Sequence, residues 1–381
     1  MIVAGEASGD NHAARLVEAL RDNFSNIEFD FFGAAGPKMR DVDVDAVVSS
    51  DDFAIVGVTE IVRALPMFLH AFRTLKRSAI ERKPDVVILV DFPEFNLKLA
   101  KSLKKQGFRV VYYISPQLWA WRKYRVSAIR KYVDLMLTIL PFEKDWYQSQ
   151  GVKHVEYVGS PLANEVHSKT DKNEFCLLNG LEPKRPIVSL LPGSRQTEIN
   201  RILPVMLATV ELMNSARPEI QFVIAASSVK AQKNIEIVVK NATSNGCKLP
   251  IDLKIVTNST YDALNASDAA AVTSGTATLE SGIIGTPLAV VYKGSALNYK
   301  LLRPLIDVEH FGLINLIAGE RIARELIQDD LTSDKLSAEM FRLLEREENH
   351  KVRLKLKAAA HKLGTGGASK RAAELIINLI R

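Results

Sequence analysis

Short runs rich in β-branched residues alternate with longer helix-patterned segments along the whole chain, and no other feature constrains the fold as much. The runs fall at residues 1–4, 28–32, 85–90, 109–114, 135–139 and 155–158 and, after a polar stretch at 168–174, at 187–191, 221–226, 253–256, 269–272 and 288–292. Strand and helix in strict alternation build βα units around a parallel sheet. Two such series in 381 residues predict two α/β domains, each with its own core. Their bounds are expected at 1–165 and 180–363. A closing helix, 364–381, carries Ala372, Leu375, Ile376 and Leu379 on one face and can pack back on the first domain.

Glycine-rich turns follow strands in both halves. Gly5-Glu6-Ala7-Ser8-Gly9-Asp10 comes after the first strand, Pro192-Gly193-Ser194-Arg195 after 187–191, and Thr273-Ser274-Gly275-Thr276-Ala277-Thr278 after 269–272. Strand, tight turn and helix start form the geometry that cradles a phosphate. The first turn lacks the Gly-x-Gly-x-x-Gly spacing, and Glu6 and Asp10 would repel a pyrophosphate, so a hydroxyl-rich group such as a sugar suits it better. Ser8 or Asp10 acting as a helix cap is the plainer reading. In the second half, Ser194, Arg195 and the amides of 274–278 suit a diphosphate, and Glu280 suits ribose hydroxyls. Those same residues could simply cap a helix.

Residues 86–96 read as a buried strand ending in a carboxylate and stopped by Pro93. Asp91 thus sits at the carboxyl edge of a central strand, where open α/β sheets bind ligands. A carboxylate there can take the proton of a hydroxyl nucleophile, or it can cap the following turn. Asp41-Val42-Asp43-Val44-Asp45 mimics an Asp-x-Asp metal motif, but its alternation with valine reads as a half-exposed strand, and no metal or other cofactor is assigned.

The net charge of +6 favours anionic partners without choosing among them. Cys176 and Cys247 show neither metal spacing nor a disulfide framework, which suits a reducing, cytoplasmic setting. No apolar run approaches the ~20 residues that span a bilayer. Ile61, Leu65, Phe68, Leu69 and Phe72 nevertheless share helical spacing after the apolar run 53–58, among Arg63, Arg73, Lys76, Arg77, Arg82 and Lys83. That pattern fits either a core face or an interfacial helix. The stretch 119–131, with Trp119, Trp121 and five basic residues between 122 and 131, could grip an anionic lipid headgroup or single-stranded nucleic acid, although no nucleic-acid motif accompanies it.

Taken in order, Gly5 to Asp10, Gly36-Pro37-Lys38-Met39, Asp91-Phe92-Pro93 with Asn96, Trp119-Ala120-Trp121-Arg122, Leu140-Pro141-Phe142-Glu143, Leu191 to Arg195 and Ser274 to Glu280 resemble the bacterial lipid-A-disaccharide synthase family of glycosyltransferases. The resemblance implies the GT-B fold: two Rossmann-like, doubly wound parallel-sheet domains facing across a cleft. It implies inverting, metal-independent transfer of 2,3-diacylglucosamine from UDP-2,3-diacylglucosamine to the 6-hydroxyl of 2,3-diacylglucosamine 1-phosphate, with Asp91 as base beside Glu6, Ser8 and Asp10. Gly9, Asn96, Ser194, Arg195, Ser274, Gly275, Thr276, Ala277, Thr278, Glu280, Asn315, Glu325 and Gln328 are the implied substrate contacts. It further implies a peripheral enzyme on the inner face of the inner membrane, without a nucleic-acid partner and compatible with a homodimer. A UDP-sugar 2-epimerase of the same fold and a non-catalytic binder of anionic surfaces remain the rival readings.

Overall fold

The structure is a computed structural model that describes residues 1–50, 61–295 and 309–381, in two compact units. The first comprises residues 1–161 with 365–381, and the second 162–364. Residues 162–165, expected in the first domain, therefore group with the second, to which the next segment is also tied: Asp262 accepts from the Lys169 and Thr170 amides.

The first unit holds a seven-stranded parallel sheet: β1 (Ile2–Ala4), β2 (Phe32–Ala35), β3 (Asp45–Ser49), β4 (Val87–Val90), β5 (Val110–Tyr113), β6 (Leu135–Thr138) and β7 (Val155–Tyr157). Their order in space is β3-β2-β1-β4-β5-β6-β7, so the winding reverses between β1 and β4. Helices α1 (Ala7–Asn23), α2 (Pro37–Asp41), α3 (Ile61–Arg82) and α4 (Pro93–Lys104) leave the first strands. Side chains of alternating parity enter two cores, Val87 and Leu89 on one face and Ile88 and Val90 on the other. Both faces are covered, which is why these strands read as continuous apolar runs. The closing helix, Ala368–Ile380, buries Ala372, Ala373, Ile376 and Ile377 in the core that α1 also covers, and Arg371 Nε donates to the Val158 carbonyl at 2.7 Å.

The second unit repeats the plan with β8 (Ile187–Leu191), β9 (Gln221–Ala226), β10 (Lys254–Thr257), β11 (Ala269–Thr273), β12 (Leu288–Tyr292) and β13 (Arg324–Ile327), ordered β10-β9-β8-β11-β12-β13. Its winding reverses between β8 and β11.

Two local expectations are corrected. The second strand begins at Phe32 rather than at 28. It runs through Phe32-Gly33-Ala34-Ala35 because the sheet needs small residues there: a Cβ on Gly33 would lie 1.8 Å from the Ile2 carbonyl oxygen. The 41–45 repeat is a turn, not a strand. Asp41 ends α2, Asp43 is left-handed at φ 56°, and Asp45 opens β3 and pairs with Arg82.

Candidate functional site

In open α/β sheets, ligands gather beyond the carboxyl ends of the strands where the winding reverses. In the first unit that point lies between β1 and β4, whose register pairs Ala4 with Val90. Gly5 and Asp91 therefore leave the sheet side by side. The contact is close: the Phe92 ring lies 2.2 Å from where a Gly5 Cβ would stand, so only glycine fits.

Asp91 and Phe92 are consecutive left-handed residues, φ 48° and 50°. This conformation costs a non-glycine residue about 1–2 kcal/mol. Two buried side chains hold it in place. Tyr112 Oη donates to the Asp91 carbonyl at 2.6 Å, and Asn96 Nδ2 donates to the same oxygen at 2.8 Å and to the Val90 carbonyl at 3.2 Å. Asn96 is fully buried, which makes it a clasp beneath the Asp91 turn rather than part of an open wall. Burial first, and the Glu6 charge second, push the Asp91 carboxyl up to about 6. Glu6 and Ser8 are exposed at the start of α1, while Gly9 is buried with its Cβ position 3.6 Å from the Val90 carbonyl.

Asp10 is engaged within the fold. Its carboxylate, 2% exposed, accepts from the backbone amides of Gly36 (2.8 Å), Lys38 (2.8 Å) and Met39 (3.2 Å). It caps α2, a five-residue helix whose own N-cap, Gly36, has no side chain to do so. An acceptor occupied by three amides is a poor general base. The signal for this was in the sequence: Gly36-Pro37 opens a helix that must borrow its cap.

In the second unit, β8 and β11 run side by side, with Leu191 opposite Val272. The turns that follow them wall a pocket of about 600 Å³ lined by Gly193, Ser194, Arg195, Ser274, Gly275, Thr276, Ala277 and Glu280. Arg195 is the N-cap of the helix Gln196–Ala216, and its Nη1 lies 3.3 Å from Glu198, yet its side chain stays 80% exposed. The helix Thr276–Ile284 starts from Gly275, so its first amides face the pocket with no side-chain cap. Burial pushes the Glu280 carboxyl above the usual carboxylate range, against hydrogen bonds with Thr276 and Tyr261. Tyr261, Asn258 and Ser227 also line the pocket, and sequence reading missed them because their turns, after β9 and β10, lack glycine.

Four expected contacts, Thr278, Asn315, Glu325 and Gln328, are not among the residues that line this pocket. Thr278 is buried, its hydroxyl donating to the Gly275 carbonyl at 2.8 Å and accepting from the Leu313 amide at 3.1 Å. Glu325 accepts from the Phe311 and Gly312 amides and from Asn315 Nδ2, while Asn315 also clasps Ala323 through both its amide nitrogen and its oxygen. Gln328 Oε1 accepts from the Gly294 amide at 3.0 Å. These groups shape the loops around the pocket. Ser274 joins the two layers, donating to the Phe311 carbonyl at 2.8 Å while lining the pocket.

The aromatic and basic cluster also changes character. Trp119 is buried and donates to Glu143 at 3.0 Å, and Arg122 and Arg125 both pair with Glu94 at the start of α4. Those cations brace the end of the Asp91 turn instead of standing open to a headgroup. Of the α3 stripe, Phe68 and Phe72 stack toward Phe92 and Phe95, leaving Leu65 and Leu69 about half exposed. The run 53–58 lies outside the described residues.

Two doubly wound parallel-sheet domains, the second with an amide-lined pocket at its switch point, define a GT-B protein of the glycosyltransferase class. The chain belongs to the lipid-A-disaccharide synthetase family, whose profile matches residues 1–378. It is 41% identical over 381 residues to the lipid-A-disaccharide synthase of Trichlorobacter lovleyi, covering all of this chain and 97% of that one. With that of Nitrosococcus oceani it shares 42% over 380 residues, covering all of this chain and 95% of its relative. Among solved structures, the UDP-GlcNAc 2-epimerase from Neisseria meningitidis bound to UDP-GlcNAc has a TM-score of 0.65 at 14% identity, covering 99% of each chain. A UDP-N-acetylglucosamine 2-epimerase, so described as putative, from Listeria monocytogenes has a TM-score of 0.67 at 14% identity over all of this chain and 95% of that one. At such identity the epimerases share the fold alone, and the family match sets the epimerase reading aside.

Proposed function

We propose that the chain transfers 2,3-diacylglucosamine from UDP-2,3-diacylglucosamine to the 6-hydroxyl of 2,3-diacylglucosamine 1-phosphate, inverting the anomeric centre and releasing UDP. The observation that carries this reading is Asp91: a strand-end carboxyl, mostly shielded from water, with its pKa pushed to about 6. Such a group is ionised at neutral pH yet basic enough to take the hydroxyl proton as the sugar carbon is attacked. One base and one in-line displacement give inversion. The second-unit pocket supports the donor half, since uncapped helix amides and the exposed Arg195 fork suit a diphosphate and the charge that develops on it as it leaves. Glu280, on the wall of the same pocket, suits ribose hydroxyls.

A disaccharide-forming assay with UDP-2,3-diacylglucosamine and labelled acceptor tests the reading. Product that needs both sugars supports it. Epimerised donor formed without acceptor would refute it.

Arg195→Ala is expected to weaken UDP binding about 10-fold or more, as befits a charge-assisted contact in a partly open pocket. Calorimetry with UDP checks this, and unchanged affinity removes the arginine from the donor site.

Fatty substrates require a route to lipid, and we assign it to α3 on the inner membrane face. No described helix is long and apolar enough to cross a bilayer, whereas Leu65 and Leu69 lie half exposed on a helix that also bears Arg73, Lys76 and Arg77. Phe68 is spoken for by the aromatic stack, so the informative change is Leu65→Ser with Leu69→Ser. This pair is expected to lower flotation with anionic vesicles while turnover of detergent-dispersed substrate persists. Equal flotation would return α3 to an ordinary surface.

A further inference from the structure

At the edge of the second sheet opposite the donor pocket, a cavity of about 790 Å³ opens beside the starts of β8 and β11 and the N-terminus of the helix Arg346–His361. β8 and β11 run from this cavity to the donor pocket, so the two sites lie at opposite ends of the same strands.

The charge around the cavity is unbalanced. Arg353 is half-buried, and its guanidinium donates only to neutral oxygens: Asn349 Oδ1 at 2.8 Å and the carbonyls of Gly285 (2.9 Å) and Ser267 (3.0 Å). Burial lowers its pKa, opposed only by the more distant Asp268. That carboxylate is already engaged by the Ile187 amide at 2.9 Å and Lys172 Nζ at 3.0 Å. Arg185 reaches the Glu219 and Pro218 carbonyls. Lys184, Arg346 and His350 complete the wall, and their side chains make no hydrogen bond or ion pair among the described residues. Against these cations the lining sets Asp268 and Glu347, and Asp252 lies 3.9 Å from Arg185.

The helix adds donors. It is 16 residues long, and its N-cap, Glu345, supplies no side-chain acceptor to the first turn. Its leading amides and the positive end of its dipole therefore meet the same cavity as Arg346.

We propose that this cavity is a second anion site, which binds the phosphate group of a small phosphorylated molecule. Amides at a helix start and an arginine fork recognise the phosphate oxygens, and its charge balances the half-buried Arg353. The volume is that of a metabolite site rather than of a single ion.

Inorganic phosphate and diphosphate are the probes, titrated by calorimetry at constant ionic strength against chloride. Three proteins are compared: the unaltered chain, Arg195→Ala, and Lys184→Ala with Arg346→Ala. Saturable binding that survives Arg195→Ala and weakens at least ~10-fold in the double variant, with turnover unchanged, supports the site. Equal binding in the double variant, loss on Arg195→Ala alone, or heats that never saturate overturn it. Phosphatidylglycerol vesicles separate a lipid source of the group from a soluble one. Equal flotation of the unaltered chain and the double variant supports the small molecule. Reduced flotation of the double variant, with no phosphate binding by the unaltered chain, overturns that assignment.

Discussion

Asp91→Asn is expected to cut disaccharide formation by about 10²–10⁴-fold, the range that a positioned general base contributes. Binding of UDP should survive, because the donor pocket belongs to the other unit. Turnover of the unaltered enzyme should rise with pH through about 6 and then level off, as the carboxylate forms. Stability runs the other way. A carboxyl whose folded pKa is raised from 3.8 to about 6 lends stability that is complete below 3.8 and lost as pH climbs through 6, because the folded state resists the charge. The asparagine variant escapes that loss, so its melting temperature should exceed that of the unaltered protein at pH 8 and match it near pH 3.5. A dead but better-folded variant is the signature of a strained, shielded base. Near-normal turnover would remove Asp91 from the mechanism.

Asp10→Ala is expected to destabilise the fold by about 3 kcal/mol, since amide hydrogen bonds to a charged acceptor contribute ~1.5–3 kcal/mol each and water can re-solvate some of the freed groups. The alanine leaves the amides of Gly36, Lys38 and Met39 without their acceptor, two of these bonds at 2.8 Å. Chemical denaturation of the full chain measures it. Activity should fall along with stability and return where low temperature restores the fold. Full stability with lost turnover would instead restore Asp10 to the reacting groups.

Strand positions were legible wherever both faces are buried, because continuous apolar runs leave little choice. The runs at 187–191, 221–226 and 288–292 coincide with β8, β9 and β12. Of the edge strands, β7 and β10 were legible as the runs 155–158 and 253–256, whereas β3 and β13 were not. β3 begins with an exposed aspartate and β13 with an exposed arginine, each covered by packing less complete than in the centre, so neither shows a strong pattern. The 28–32 run misled because Phe29 and Phe31 stack on each other ahead of the strand. In the candidate site, the Gly5, Asp91, Ser194–Arg195 and 274–277 turns could be read locally, since each is a strand end followed by its own helix start.

The sequence by itself determined two parallel α/β domains, the glycine-marked turns at their switch points and a carboxylate at the end of a central strand, because each follows from neighbours within a few residues. Only the tertiary structure decided which polar groups remain open to a ligand. Asp10 meets an amide 26 residues away, Tyr112 reaches across 21 residues to hold Asp91, and Glu94 takes up arginines from beyond the next strand. A side chain's chemistry depends on what occupies its hydrogen bonds, and in a parallel sheet those partners come from strands adjacent in space but distant along the chain.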